Sequence, residues 1–290
     1  MMTGVDRAPV TSVSVVIPLL DNVGDLAAQL HAVTTQECRV PFEIVVADNG
    51  STDGSLELAA AWSTRDGRVR VVDASDRPGP AAARNRGVAT SVADAVAFCD
   101  ADDVVAPGWL QALVDELPDA DVVAGACDFA SLNGGEQGKT VVSHASHFGF
   151  LPAGLGANLA IRRAVLLRIG GFDEELQVGE DIDLCWRAQL AGHRFVSATE
   201  PVVARRDRAA ARPRRTQLMR YGRSEAALFR RFRGEGMPRN VGLTAKTYGW
   251  LMLNLPRAAV DPVCRTRWTR AFYVRWGRMC GSVEHRVLFP

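Results

Sequence analysis

The chain has 290 residues, 47% of them hydrophobic and 23% charged, with a formal net charge of +1. This is the composition of an ordinary globular protein with ample core, and it excludes disordered, collagen-like and disulfide-scaffold classes. The near-zero balance hides an asymmetry: residues 1–200 carry 14 Lys+Arg against 28 Asp+Glu, and residues 201–290 carry 20 against 5, so the first part is acidic and the tail strongly basic. An acidic part could hold a metal ion; the tail would be drawn to phosphates, anionic lipid or the acidic part itself. The six cysteines, at 38, 99, 127, 185, 264 and 280, include no CxxC pair. They read as reduced core residues of a cytosolic protein. The first ten residues lack an apolar signal core and are expected to be disordered, and no 18-residue uncharged apolar run occurs. Secretion and membrane spanning are both disfavoured.

In chain order, Val13–Ile17 is a β-branched first strand ended by Pro18. Asp25–Thr34 can form a helix, and Glu43–Ala47 is a second strand running into Asp48-Asn49-Gly50-Ser51-Thr52-Asp53-Gly54. That loop is dense in turn and capping residues, and Ser51, Thr52 or Asp53 could cap a helix over Leu56–Trp62. Val69–Val72 is a third strand and Pro80–Ala93 a third helix. Alternation of strand and helix with short connections predicts a doubly wound α/β sheet with helices on both faces. Ligands of such sheets bind outside the strand carboxyl ends, where Pro18, Asp48 and Asp100 fall.

The fourth strand carries the strongest signal, Ala95 to Asp103 (AVAFCDADD), a buried-type apolar run closed by three carboxylates in four residues. In extended chain Asp100 and Asp102 would share a side, with Ala101 pointing away. Like charges so close need a cation or hydrogen-bond donors to offset their repulsion. The plainer alternative is an acidic cap on a following helix that begins near Pro107. No GxGxxG follows the first strand and no GxxxxGK[ST] occurs, so the usual dinucleotide and P-loop cradles are missing. A divalent cation held by aspartates would instead bridge to a diphosphate and stabilise it as a leaving group.

Taken in order, SVVIPLLDN, VVADNGSTDGS, GPAAARNRG, FCDADD, GGFDE and GEDIDLCWRAQLAG resemble a family 2 glycosyltransferase with the GT-A fold, over about residues 11–205. The resemblance implies an inverting enzyme that uses a nucleotide-activated sugar with Mn2+ or Mg2+. It places Asp48 at the base or ribose and makes Asp100-Ala101-Asp102 the DxD motif, with Asp102 the more direct metal ligand. Pro18, Arg84 and Asn85 fall on the donor side; for Arg84 and Asn85 the residues themselves allow a solvated helix surface. A uridine nucleotide is the default, with GDP and dTDP left open, and the acceptor is a glycan, lipid-linked or small-molecule hydroxyl.

Residues 170–192 read as a turn, Gly170 to Glu174, and then a helix opened by Glu180-Asp181 and closed by Gly192, with Ile182, Cys185, Trp186 and Leu190 on its apolar face. Acids in a first turn are favoured by the helix dipole alone. By resemblance Asp181 is the base that takes the acceptor proton, with Glu180 as its fallback on the acceptor side. Leu151–Ala157 reads as a flexible glycine-bearing loop, followed by Asn158 on the acceptor side and a helix from about Arg162. His144 and His147 have no spacing that demands a metal.

Two departures from the family stand out. Where many relatives carry a histidine after the strand that follows the base helix, this chain reads Val202-Val203-Ala204-Arg205-Arg206-Asp207, so an arginine would meet phosphate there. Gln217-Leu218-Met219-Arg220-Tyr221 resembles the QxxRW of processive synthases with Tyr for Trp, yet the membrane helices of those enzymes are missing; single-sugar transfer is favoured. The tail, residues 206–290, is expected to be a basic helical extension, with one helix over Gln217–Phe232 and another bearing a stripe of Trp268, Phe272, Trp276, Met279 and Val283. Arg267, Arg270 and Arg278 fall on a different face of that second helix. Such a helix could lie on an anionic membrane, giving a cytoplasmic enzyme peripheral at the inner face of the plasma membrane, or dock on the catalytic part. Two alternatives stand beside an enzyme: a catalytically degenerate scaffold, and a membrane-peripheral binding protein. A nucleic-acid partner is not expected, because the basic tail has no recognised binding motif.

Overall fold

The β-branched run at residue 13 forms β1 (Val13–Leu19) near the centre of a nine-stranded mixed sheet in the computed structural model, which describes residues 8–134, 140–142, 147–206 and 215–289. Lys139, His144, Asp207 and residues 1–7 lie outside these, as does the side chain of His147. The chain then forms α1 (Leu26–Thr34), β2 (Phe42–Asp48), α2 (Ser55–Arg65), β3 (Val69–Asp73), α3 (Pro80–Thr90) and β4 (Ala95–Phe98). β5 (Val104–Val105), α4 (Trp109–Glu116), β6 (Val122–Asp128), β7 (Thr140–Val142), β8 (Leu159–Arg162) and α5 (Arg163–Arg168) follow. α6 (Glu180–Leu190) and β9 (Phe195–Ala204) complete the α/β part.

The sheet order is β3-β2-β1-β4-β8-β6-β9-β5, with β7 paired to β6. β1 to β4 are mutually parallel, while β8 is antiparallel to both β4 and β6. Alternation along β1 and β2 sends Val13, Val15, Ile17, Ile44 and Val46 to one face, where they pack with Leu26, Leu30, Trp109 and Leu113 of α1 and α4. Val16 faces the other way against α3, whose Gly87 would put a Cβ 2.4 Å from the Val16 Cγ1. Helices therefore cover both faces, as the alternating pattern predicts. All six cysteines are free. Residues 8–10, expected to be disordered, are held: Ala8 accepts from Arg162 Nη1 at 2.7 Å, and Val10 packs on the core.

The chain divides into two compact units, one from residues 1–145, 152–175 and 180–207, the other from 146–151, 176–179 and 208–290. The second is helical, with α7 (Arg215–Phe232), α8 (Val241–Leu253), α9 (Leu255–Val260) and α10 (Pro262–Glu284). No described helix is long and apolar enough to cross a membrane. Gln217, Arg220 and Tyr221 are exposed on the first turns of α7. α10 begins at Pro262, and Asp261 caps it by accepting from Val263 N at 2.9 Å and Cys264 N at 3.3 Å.

The α7–α10 contact is made by glycines rather than by the aromatic stripe. A Cβ on Gly222 would lie 2.0 Å from Val274 O, one on Gly277 2.3 Å from Met219 O, and one on Gly281 2.8 Å from Arg223 Cα. Trp268 and Phe272 stack on each other at 5.0 Å, while Trp276, Met279 and Val283 stay exposed. Arg278 departs from its expected place on a face with Arg267 and Arg270: it is buried, pairs with Glu225 and lies 4.8 Å over the Phe289 ring. Gly277→Ala should lower the thermal unfolding midpoint by an amount equivalent to about 1–3 kcal/mol, because the added methyl meets backbone. Gly249→Ala in α8, where nothing lies within 4 Å, should leave it unchanged or raise it by about 0.5–1 kcal/mol.

Candidate active site

Strand order places the site. From β1 the chain moves outward to β2 and β3 and then returns to β4 on the other side of β1, so a crevice opens at the carboxyl ends of β1 and β4. Pro18 fits there because the β1–β4 ladder stops at Val16 opposite Phe98, beyond which no partner strand needs its missing N–H. The loops that leave β1 and β2 are stitched together. Asp21 accepts from Thr52 N at 2.7 Å, Asp53 from Val23 N at 3.0 Å and from Ser55 N at 3.0 Å, and Asn49 Oδ1 from Gly79 N at 2.7 Å. Asp48, buried at the end of β2, accepts from Gly50 N at 3.2 Å and Ser51 N at 3.3 Å.

The acids after β4 meet by a different route from the one alternation predicts. The strand ends at Phe98, and Ala101, Asp102 and Asp103 lie in a turn, with Ala101 packed into the core. α4 starts only at Trp109 after Gly108 in the left-handed region, so neither the acids nor Pro107 cap it. In the turn Asp100, Asp102 and Asp103 bring one carboxylate oxygen each within 4.8 Å of the others. Three hard oxygen donors so arranged suit a divalent ion of the Mn2+ or Mg2+ class. Asp103 is the member that sequence reasoning missed; its place in the DADD run was visible, but its direction depends on the turn. Burial pushes its carboxyl up to about 7, against the pull of Arg205 and with the repulsion of Asp100 adding to the rise. Gln29 of α1, fully buried, fixes the turn by donating to Asp100 O at 2.9 Å and accepting from Val105 N at 3.1 Å.

Arg205, just past β9, stands where the histidine is absent. Its Nη2 is 3.5 Å from Asp100 and its Nε 3.5 Å from Asp103, and the charges of both acids raise its pKa against burial. Arg206 adds a backbone N–H to Asp103 at 2.9 Å and an ion pair to Asp25 at 3.0 Å. Among the described residues, no histidine joins the acid cluster.

Arg84, expected beside the donor, is tied into the protein by two carboxylates. Only 4% exposed, it donates from Nη2 to Asp100 and from Nη1 to Glu180, both at 2.8 Å, with its guanidinium 5.5 Å over the Phe172 ring. Burial opposes its charge, but Asp100, Glu180 and Asp181 outweigh that and raise its pKa. Glu180, expected on the acceptor side as the fallback base, presents its buried carboxylate to Arg84. One cation cannot satisfy three acids. Burial first and the Asp181 charge second therefore push Glu180 up to about 7 in spite of Arg84.

Asp181 is half-buried in the first turn of α6, its Oδ2 accepting from Gly156 N at 2.9 Å and its Oδ1 from Ile182 N at 2.8 Å. Gly156 belongs to a segment expected to be flexible, yet Ala153, Gly154 and Ala157 are buried and Gly154 N approaches Cys185 Sγ at 3.5 Å. A Cβ on Gly156 would sit 3.0 Å from the Arg84 guanidinium carbon, so glycine is what lets this strap cross Arg84. Leu190, expected on the apolar face of α6, is exposed; Leu184 and Ala188 take its place, and the fully buried Asp183 pairs with Arg187 at 2.7 Å.

Asn85, expected on the donor side, and Asn158, expected on the acceptor side, both hydrogen-bond within the protein. Asn85 donates to Phe172 O at 2.9 Å and Glu174 at 2.8 Å and accepts from Phe172 N at 2.8 Å, which fixes the Gly170–Gly171 turn. Asn158, wholly buried, accepts from Trp109 Nε1 at 2.8 Å and donates to Ala126 O at 2.7 Å and Pro201 O at 2.9 Å. It bridges a bulge in the β6–β9 ladder at Gly125, where a Cβ would overlap its amide at 2.4 Å.

The sequence profile of Glycosyl transferase family 2 matches residues 14–167, and that of Glycosyl transferase family group 2 matches residues 95–266. The chain belongs to glycosyl transferase family 2. It is 30% identical over 232 residues to the pre-mycofactocin glycosyltransferase of Mycobacterium tuberculosis, covering 74% of this chain but 47% of that protein. The chain thus spans about half the length of that relative. The mannosyltransferase PcManGT of Pyrobaculum calidifontis, solved with GDP-Man and Mn2+, superposes with a TM-score of 0.68 at 18% identity, over 98% of this chain and 91% of that one. GalNAc-T7, solved with UDP, GalNAc and Mn2+, gives 0.58 at 21% identity, over 74% of this chain and 47% of that one. The fold is GT-A, as the order of the motifs in this family 2 chain implies.

The Glu180 environment predicts a pH dependence. Its folded pKa of about 7 lies above the ordinary 4.5, so the folded state binds the extra proton and stability falls as pH rises from about 4.5 through 7. The loss from this group should be on the order of 3 kcal/mol. Denaturant unfolding of Glu180→Gln at pH 5 and pH 8 should show a smaller difference than the unsubstituted protein shows.

Proposed function

We propose that this family 2 chain is an inverting, divalent-metal-dependent glycosyltransferase. It moves one sugar from a nucleotide-diphosphate sugar, a UDP-sugar by default, to an acceptor hydroxyl. The observation that carries the reading is the convergence of Asp100, Asp102 and Asp103 on one point, joined through Arg84 to the helix that bears Asp181. A divalent ion held by this triad, Asp102 foremost, would neutralise the donor diphosphate and stabilise it as it leaves.

The chain's own groups would do the rest. Asp48 and the stitched loops around it form the floor for the base and ribose, and Pro18 lies beside them. Arg205 offers a fixed cation beside the triad for phosphate oxygen. Asp181, with one backbone N–H on each oxygen, keeps lone pairs for the acceptor O–H. As the acceptor oxygen bonds to the anomeric carbon from the face opposite the diphosphate, its proton passes to Asp181 and the sugar–phosphate bond breaks. The acceptor would be a glycan, a lipid-linked glycan or a small molecule of cell-envelope or natural-product synthesis. The basic helical unit would hold the enzyme at the anionic inner face of the plasma membrane. A catalytically degenerate scaffold is the second reading, and the intact acids weigh against it.

Thermal unfolding with UDP, GDP, dTDP or CDP, each with Mn2+, Mg2+ or EDTA, tests the donor half. One nucleotide should stabilise by about 2.7 kcal/mol at a hundred times its Kd, only with metal, and Asp102→Ala should abolish the shift. No shift with any nucleotide would favour the scaffold. Asp181→Asn should keep that stabilisation while turnover falls about 10²–10⁴-fold; unchanged turnover in a donor-release assay would remove Asp181 as the base.

A further inference from the structure

The helical unit carries an apolar surface that the aromatic stripe does not account for. Across the corner from the end of α8, through α9, to the start of α10, Met252, Leu253, Leu255, Val260 and Val263 are exposed, at 79%, 83%, 55%, 81% and 65%. Single exposed aliphatics are ordinary, but five within twelve residues are not. The corner is rigidly built. Leu251, Ala258 and Cys264 are buried beneath it, Trp268 Nε1 donates to Leu251 O at 2.8 Å, and Arg265 Nε donates to Ala258 O at 3.0 Å. Hydrogen bonds that hold the backbone of a surface corner keep its aliphatic side chains presented rather than folded inward.

Charge decides what this corner fits. Residues 215–289 hold 15 Lys+Arg and 4 Asp+Glu, a net +11. Lys246, Arg265, Arg267 and Arg270, all exposed, flank the corner in sequence, and the exposed Arg257 lies within it, paired with Asp261 at 3.3 Å. An apolar tip rimmed by cations matches the boundary between acyl chains and anionic headgroups. The same face of a second copy would bring an equal excess of positive charge against it, which disfavours a face-to-face dimer through this corner. The corner is too short to span a bilayer, in keeping with the absence of any described spanning helix.

We propose that residues 252–263 form an insertion knuckle that enters the interface of a membrane containing anionic lipid. This rests on the peripheral-membrane reading and locates the contact at α8–α9–α10 rather than along the Trp268–Val283 stripe. Insertion beside the headgroups would put the enzyme where a lipid-linked acceptor presents its hydroxyl.

The test is co-sedimentation of the full chain with phosphatidylcholine vesicles, with and without 30 mol% phosphatidylglycerol, for the unsubstituted protein and Leu253→Ser/Val260→Ser. Both positions are exposed, so the fold should survive; matching thermal unfolding checks this. The expected result is binding to the anionic vesicles, weakened by high salt, with the double variant's partition lowered about tenfold or more. If the protein binds and the double variant binds equally well, the knuckle is overturned while the membrane reading stands. Binding to neither vesicle overturns both. A dimer in solution that the double variant splits, without vesicle binding, assigns the face to self-association and also overturns the proposal.

Discussion

A single buried guanidinium organises the catalytic unit. Arg84 is enclosed, and its two terminal nitrogens bind carboxylates from parts of the chain 16 residues and 96 residues away. Removing it would leave Glu180 beside Asp181 without the cation that faces both, and Asp100 with Arg205 alone, a change that costs about 3–5 kcal/mol in comparable buried pairs. Its neighbours are chosen to suit it: Gly156 leaves it room, Phe172 covers one side, and Asn85 fixes the turn that carries Phe172. The residue holds the Asp100 turn and the start of α6 at a set spacing.

The same charge arithmetic runs through the acid turn. Asp100 is shared between Arg84 and Arg205, and Asp103 is held by Arg205 and the Arg206 backbone. Three carboxylates and two guanidiniums leave an excess of negative charge; burial first, and the Asp100 charge after it, raise the proton affinity of Asp103 against the pull of Arg205. A divalent ion would complete this balance.

Much of this was legible in the sequence. The alternation of β-branched runs with helical segments marks β1 to β4 and α1 to α3 to within three residues at each end, and the DADD run marks the carboxylate cluster. What escaped were facts about direction. Arg84 and Asn85 sit adjacent on a helix, and nothing local says that one points into an ion-pair network and the other to the Phe172 turn. Asn158 follows a glycine-rich stretch that reads as a loop, and only the bulge at Gly125 shows why an amide is enclosed there. On α10, periodicity picked out the aromatic stripe, while the true helix–helix seam is made by Gly277 and Gly281, which no hydrophobic pattern marks.

The way the two halves are joined bears on how such a chain can diverge. The loops after β1, β2 and β4 come from one continuous stretch of chain and brace one another, whereas Asp181 and the Gly156 strap come from later segments. Drift in the later segments can remodel what approaches Asp181 without disturbing the loops that end the parallel strands, provided that Glu180 and Gly156 continue to fit Arg84. The segments around Asp181 can thereby change while the frame at the strand ends is kept, with one arginine as the joint between them.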